Sequence, residues 1–251
     1  MLHHIDQGAG RPVVLLHGGA LDHRLWAPQI AALTRTHRVI APDLRGHGAS
    51  PTPTAPFRHV DDVAALLRDL DLGPTTVAGI SLGATVAVDL ALEAPELVSG
   101  LVVSGAGAGG AEFRDPATLE LLARWAASEQ ARDRALWTEI FLEISFGVGR
   151  PLDDVAPDMV AHVRRMTDDT LDHHVPDGMP VLPTPVADAA ARSRELTLPV
   201  LAIVGLLDSP DHRRMAREVA RDVVEIEDAA HYPNLEAPDE FTVALLTFLR
   251  E

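Results

Sequence analysis

The sequence predicts an α/β fold: a mostly parallel central sheet, helices on both faces, and an inserted helical cap. Three observations carry this. Six short apolar runs, bounded by turn residues, alternate with segments of helical spacing. The runs are nearly continuous in hydrophobicity, the pattern of strands buried on both faces. One long stretch, between Val103 and Val200, breaks the alternation and reads as helices alone.

The strand signals fall at 13–16, 38–41, 75–78, 101–103, 200–204 and 223–226. Helical spacing fills 25–33, 60–70, 82–92, 215–220 and 236–249, and in the second of these Val63, Leu66, Leu67 and Leu70 share one face. Right-handed crossovers place the loops that follow the strands along one sheet edge, where ligands bind in open α/β sheets. After 101–103 comes Ser104-Gly105-Ala106-Gly107-Ala108-Gly109-Gly110, too flexible for the interior of a helix or strand. Beyond it Leu119, Leu122 and Trp125 share a helical face, Trp137, Ile140, Phe141 and Ile144 a second, and Met159, Val163 and Met166 a third. A proline-rich return follows at 176–185. The expected organisation is a core at 1–110 and 196–251 with a cap at 111–195. Trp125, Trp137 and Phe141 are candidate substrate-binding residues, although stripes at this spacing also serve simply to pack a cap on a core.

Composition narrows the function classes. The chain has 251 residues, 47% hydrophobic and 23% charged, enough for one sizeable domain with an insertion. Its start shows no basic stretch followed by a long apolar run, so a cytoplasmic location is expected. Cysteine is absent, which excludes disulfides, thiolate zinc sites and a cysteine nucleophile. The net charge of −16 disfavours nucleic acid and anionic membranes as partners. Every basic residue is arginine, which excludes lysine Schiff-base chemistry and a P-loop lysine. Asp168, Asp169, Asp172, His173 and His174 resemble a ligand cluster, but adjacent residues on a helix face apart. No metal or cofactor is expected.

The chemistry-bearing residues fall at predicted strand ends. Gly79-Ile80-Ser81-Leu82-Gly83 sits where an apolar strand meets a helical pattern. A serine in such a turn is held in a strained conformation with its Oγ above the sheet edge, and flanking glycines make room for it. A serine N-cap would require only the serine. His17-Gly18-Gly19 follows the first strand signal, so the Gly19 N–H, paired with that of Leu82, is a candidate oxyanion donor. An ordinary glycine turn is the competing reading. His231 lies just past 223–226 and is the candidate base; His3, His4, His37 and His212 lack comparable placement, and His47 lies in a structural turn. Asp208 follows 200–204 and is the candidate carboxylate that fixes the base. Asp211 is its rival, explained by the first turn of the next helix.

The order Ser81, Asp208, His231, with His17-Gly18-Gly19, Asp43-Leu44-Arg45-Gly46-His47-Gly48 and His231-Tyr232-Pro233-Asn234-Leu235-Glu236, resembles the α/β-hydrolase superfamily over nearly the whole chain. It is similar to the compact, cofactor-free group of esterases, enol-lactonases, carbon–carbon bond hydrolases and perhydrolases. The sequence departs from that group at Ala84, where relatives often carry glycine, and at Ala229-Ala230. The resemblance implies a serine hydrolase acting on a small ester or lactone with water. The alternatives are another reaction on the same triad (carbon–carbon bond hydrolysis, perhydrolysis or acyl transfer) and a ligand-binding scaffold without turnover.

Overall fold

The computed structural model of the protein describes residues 1–175 and 181–250. Its seven strands are β1 (His4–Gly8), β2 (Arg11–Leu16), β3 (His37–Pro42), β4 (Thr75–Ile80), β5 (Val98–Ser104), β6 (Val200–Gly205) and β7 (Asp222–Ile226). They form one sheet in the order β1-β3-β2-β4-β5-β6-β7. β1 runs antiparallel to β3, and every other pairing is parallel.

The apolar runs of β2 to β6 are continuous because each of these strands feeds two cores. Along β2, Val14 and Leu16 enter one layer with Val63 and Leu67, while Val13 and Leu15 enter the other with Trp26 and Phe241. All eight side chains are fully buried, each stabilising the fold by about 1.5–3 kcal/mol. The first layer is covered by α2 (His59–Asp69) and α3 (Leu82–Glu93), and the second by α1 (Ala27–Leu33) together with the C-terminal helix.

Between β5 and β6 lie α4 (Pro116–Ala131), α5 (Arg134–Phe146), α6 (Pro157–His174) and the short α7 (Ala189–Arg192). Asp115 and Asp133 start α4 and α5 by accepting from Thr118 and Leu136 N–H groups at 2.9 and 3.0 Å. The first half of the proline-rich return, 176–180, lies outside the described residues. Among the described residues no helix is long and apolar enough to cross a membrane.

Three elements differ from the sequence expectation. β1 was not foreseen: it is an edge strand with only Ile5 apolar and most positions exposed. The helix after β6, α8 (Pro210–Val219), begins five residues before the first apolar position of its pattern, because Ser209 caps it and Pro210 opens it. The expected helix at 236–249 is two, α9 (Pro233–Glu236) and α10 (Pro238–Phe248), since Pro238 can open a helix but not continue one.

Candidate active site

Ser81 stands between β4 and α3 with φ 55° and ψ −118°. That region costs a residue bearing a Cβ about 1–3 kcal/mol. The surroundings hold it there: the Ser81 N–H donates to the Ser104 carbonyl at 2.8 Å, and the Ser81 carbonyl accepts from Ala84 and Thr85 at 3.0 and 3.1 Å. The flanking glycines are a matter of space. A Cβ on Gly79 would lie 2.2 Å from the Gly83 carbonyl oxygen, and one on Gly83 would lie 2.1 Å from that of Leu16. The Ser81 side chain caps no N–H of α3, so the N-cap reading does not account for it.

Asp208 and His231 come together from two loops stitched by backbone hydrogen bonds. Leu206 donates to Ile226 and Leu207 to Ala229, both at 2.9 Å. His231 then gives its Nδ1–H to Asp208 Oδ2 at 2.9 Å. A carboxylate only accepts, so the proton is on Nδ1 and Nε2 is left as the basic nitrogen. Both side chains are buried. Burial opposes the charge on Asp208, but His231 and His212 outweigh it and hold the carboxyl well below its usual range. Burial is also the largest influence on His231 and pushes its imidazole below the ordinary value; Asp208 pulls the other way, and His212 adds to the lowering.

His212 is the residue that sequence reasoning set aside for want of a strand end, and the structure corrects this. Its Nδ1 lies 3.0 Å from the other oxygen, Asp208 Oδ1. The signal was present: Ser209-Pro210 starts a helix, which places His212 one turn past Asp208 and facing it. Asp211, the rival acid, accepts from the Arg114 and Asp115 N–H groups at 2.7 Å each and holds the start of α4 instead.

Ser81, His231 and His212 line one cavity of about 460 Å³. Its closest tie is Gly105, which follows the Ser104 that accepts from Ser81. With φ +65°, Gly105 passes under the imidazole so tightly that a Cβ would sit 2.7 Å from His231 Cε1. Gly19 and Leu82 line the same cavity. Leu82 opens α3, so its N–H has no acceptor within the helix. The turn that carries Gly19 is held by His17, whose Nε2 accepts from the Leu44 N–H at 2.9 Å while Nδ1 donates to the Gly18 carbonyl at 2.7 Å. Burial keeps that imidazole below its ordinary pKa despite the Gly18 bond, as a neutral bridge requires. Asp43, at the other end, accepts from the His23 and Ala49 N–H groups and from the His3 and His23 rings at 2.7–2.9 Å.

Trp125, Trp137 and Phe141, from α4 and α5, line the cavity as well. Trp137 and Phe141 stack nearly parallel, 9° and 5.4 Å between centroids, with Trp125 tilted 5.1 Å from Trp137. Among the described residues, two groups bring metal-ligating atom types within 4.8 Å, His3 with His23 and Asp43, and Asp208 with His212 and His231. In each, imidazoles already hydrogen-bond to the carboxylate. The sequence cluster at 168–174 disperses: Asp169 pairs with Arg24 and Asp172 with Arg134, both at 2.7 Å.

With this geometry established, the chain belongs to the alpha/beta hydrolase family, whose pattern it matches over residues 13–245. It is 28% identical to 3-oxoadipate enol-lactonase 2 of Acinetobacter baylyi over 255 aligned positions, covering 94% of this chain and 88% of that one. It is 34% identical to the (E)-2-((N-methylformamido)methylene)succinate hydrolase of the same organism over 104 residues, 40% of either chain. A thermophilic esterase from Thermogutta terrifontis superposes with a TM-score of 0.77 at 26% identity, covering 99% of this chain and 93% of the other.

Proposed function

We propose that the protein is a serine hydrolase that cleaves a carboxylic ester or lactone through an acyl-enzyme, with Ser81 as nucleophile, His231 as base and Asp208 as its carboxylate. The observation that carries this reading is the strained Ser81, at a helix N-terminus, sharing a cavity with a histidine whose Nδ1–H is held by a buried carboxylate. Ser81 Oγ attacks the carbonyl carbon as His231 Nε2 takes its proton. The carbonyl oxygen becomes an oxyanion, held by the Gly19 and Leu82 N–H groups. His231 returns the proton to the departing alkoxide, leaving Ser81 acylated. Water, deprotonated by the same nitrogen, then releases the acid and restores the serine. Asp208 stays ionised throughout and stabilises the imidazolium. The segment 111–195, with α4 and α5, is the cap of that site. The enol-lactonase and esterase activities named for the relatives support the reaction type.

Hydrolysis of short aryl esters by the native protein and by Ser81→Ala tests the reading. The native protein is expected to turn over, and Ser81→Ala to lose about 10⁴-fold or more in kcat. Equal rates for the two proteins would refute it.

A further inference from the structure

Resting on the serine-hydrolase reading, we infer that the substrate is uncharged: an ester or lactone whose remaining part is apolar, with carboxylate-bearing analogues rejected. The cavity's chemistry carries this. Among its described lining residues there is no Arg, Asp or Glu side chain. The ionisable lining groups are His212, His231 and Tyr232. Both imidazoles give their Nδ1–H to Asp208, so the single carboxylate charge of Asp208 faces the two rings from behind. Burial raises the Tyr232 phenol above its usual pKa and keeps it neutral.

No arginine of the described helical segment lines the cavity; Arg132, Arg165 and Arg194 are exposed, and others are paired elsewhere. Arg164 pairs with Glu139 at 2.8 Å, Arg134 with Asp172 at 2.7 Å and Arg124 with Glu143 at 3.1 Å. His162 Nε2 lies 3.3 Å from the Arg24 carbonyl, and His173 is exposed. None of these residues lines the cavity.

The rest of the lining is mostly aromatic and aliphatic, with Ser81, Thr85 and Thr118 as neutral hydroxyl residues. The Trp137 indole N–H is taken by Glu129 at 3.2 Å, leaving the ring for contact. Leu122 and Ile144 extend the wall. A carboxylate brought here loses its hydration and gains no cationic partner, close to the ionised Asp208 and in a chain of net charge −16. Hydrolysis itself turns a neutral ester into a carboxylate, so the same property expels the acid product.

The test is a matched pair: methyl 4-phenylbutanoate and its ring para-carboxylate. Binding to Ser81→Ala protein is followed by tryptophan fluorescence, which two cavity residues report, and turnover is followed with the native protein. The neutral ester is expected to bind about 100-fold more tightly or better, with kcat/KM following the same ratio. Ile144→Arg, with Leu122→Arg as the second variant should the first fail to fold, is expected to narrow the binding ratio at least about tenfold. Equal or tighter binding of the anionic ester overturns the inference. So does an unchanged ratio in a folded arginine variant. Binding selectivity without turnover of the neutral ester would instead remove the serine-hydrolase reading and leave the cavity's charge preference standing.

Discussion

The imidazoles of His212 and His231 lie 4.3 Å apart, centroid to centroid, and each turns its Nδ1 onto a different oxygen of Asp208. The base thus shares its carboxylate with a second ring, and that ring pushes the His231 pKa down. His231 acts as a base only when neutral, so activity falls as the pH drops through its pKa. Removing His212 removes one lowering influence and leaves Asp208 to act on His231 alone. His212→Phe is therefore expected to move the acid limb of kcat/KM to higher pH, with His212→Gln between it and the native protein. A uniform loss at every pH would indicate a packing role only.

Gly105 is set by contact with the base. Its φ of +65° disfavours any side chain, and a Cβ would press to within 2.7 Å of His231 Cε1. Gly105→Ala is expected to lower kcat by about 10²-fold, the cost of a displacement near 1 Å. Gly149→Ala has a similar φ of +82° with nothing within 4 Å of the added Cβ, and Gly149 does not line the cavity. It should reproduce the backbone strain without the loss of kcat, and steady-state kinetics on the two variants separates the causes.

Ser81 carries strain that glycine would relieve. At φ 55° and ψ −118°, Ser81→Gly is expected to be more stable than Ser81→Ala by about 1 kcal/mol or more, with both inactive. Chemical denaturation measures the difference. An alanine variant as stable as the glycine variant would mean that the turn is unstrained.

Stability should fall in mild acid. His59 is buried, and burial, followed by its neighbour His17, lowers its pKa from 6.5 to about 4. Between those values the unfolded chain binds a proton that the folded protein does not. The stability present above pH 6.5 is therefore lost as the pH falls toward about 4, a contribution on the order of 3 kcal/mol. Among the described residues His59 Nδ1 also has no hydrogen-bond partner. His59→Phe should flatten the pH dependence of the unfolding free energy over that range, and an unchanged slope would contradict the assignment.

How much of this was legible in the sequence follows from burial. Strands β2 to β6 announce themselves because most of their residues enter one of two apolar layers, whereas β1, at the edge, has no such pressure on its composition. The positions of Ser81, Asp208 and His231 could be argued from strand ends because the fold delivers its loops to one edge. His212 is not at a strand end, and its placement is legible only through the Ser209-Pro210 helix start, because the first turn of that helix has no apolar position to mark it. The Gly-Ala run after β5 reads only as flexible, yet it forms one wall of the cavity. Chain entropy says where a segment bends, not what it faces.

In the proposed reaction the Ser81 hydroxyl is the activated nucleophile, and treatment with a fluorophosphonate probe followed by peptide mapping reads this out. One adduct is expected, on Ser81, with labelling slowed by about 10³-fold or more in His231→Ala. An adduct on any other residue, or full labelling of Ser81→Ala, would contradict it.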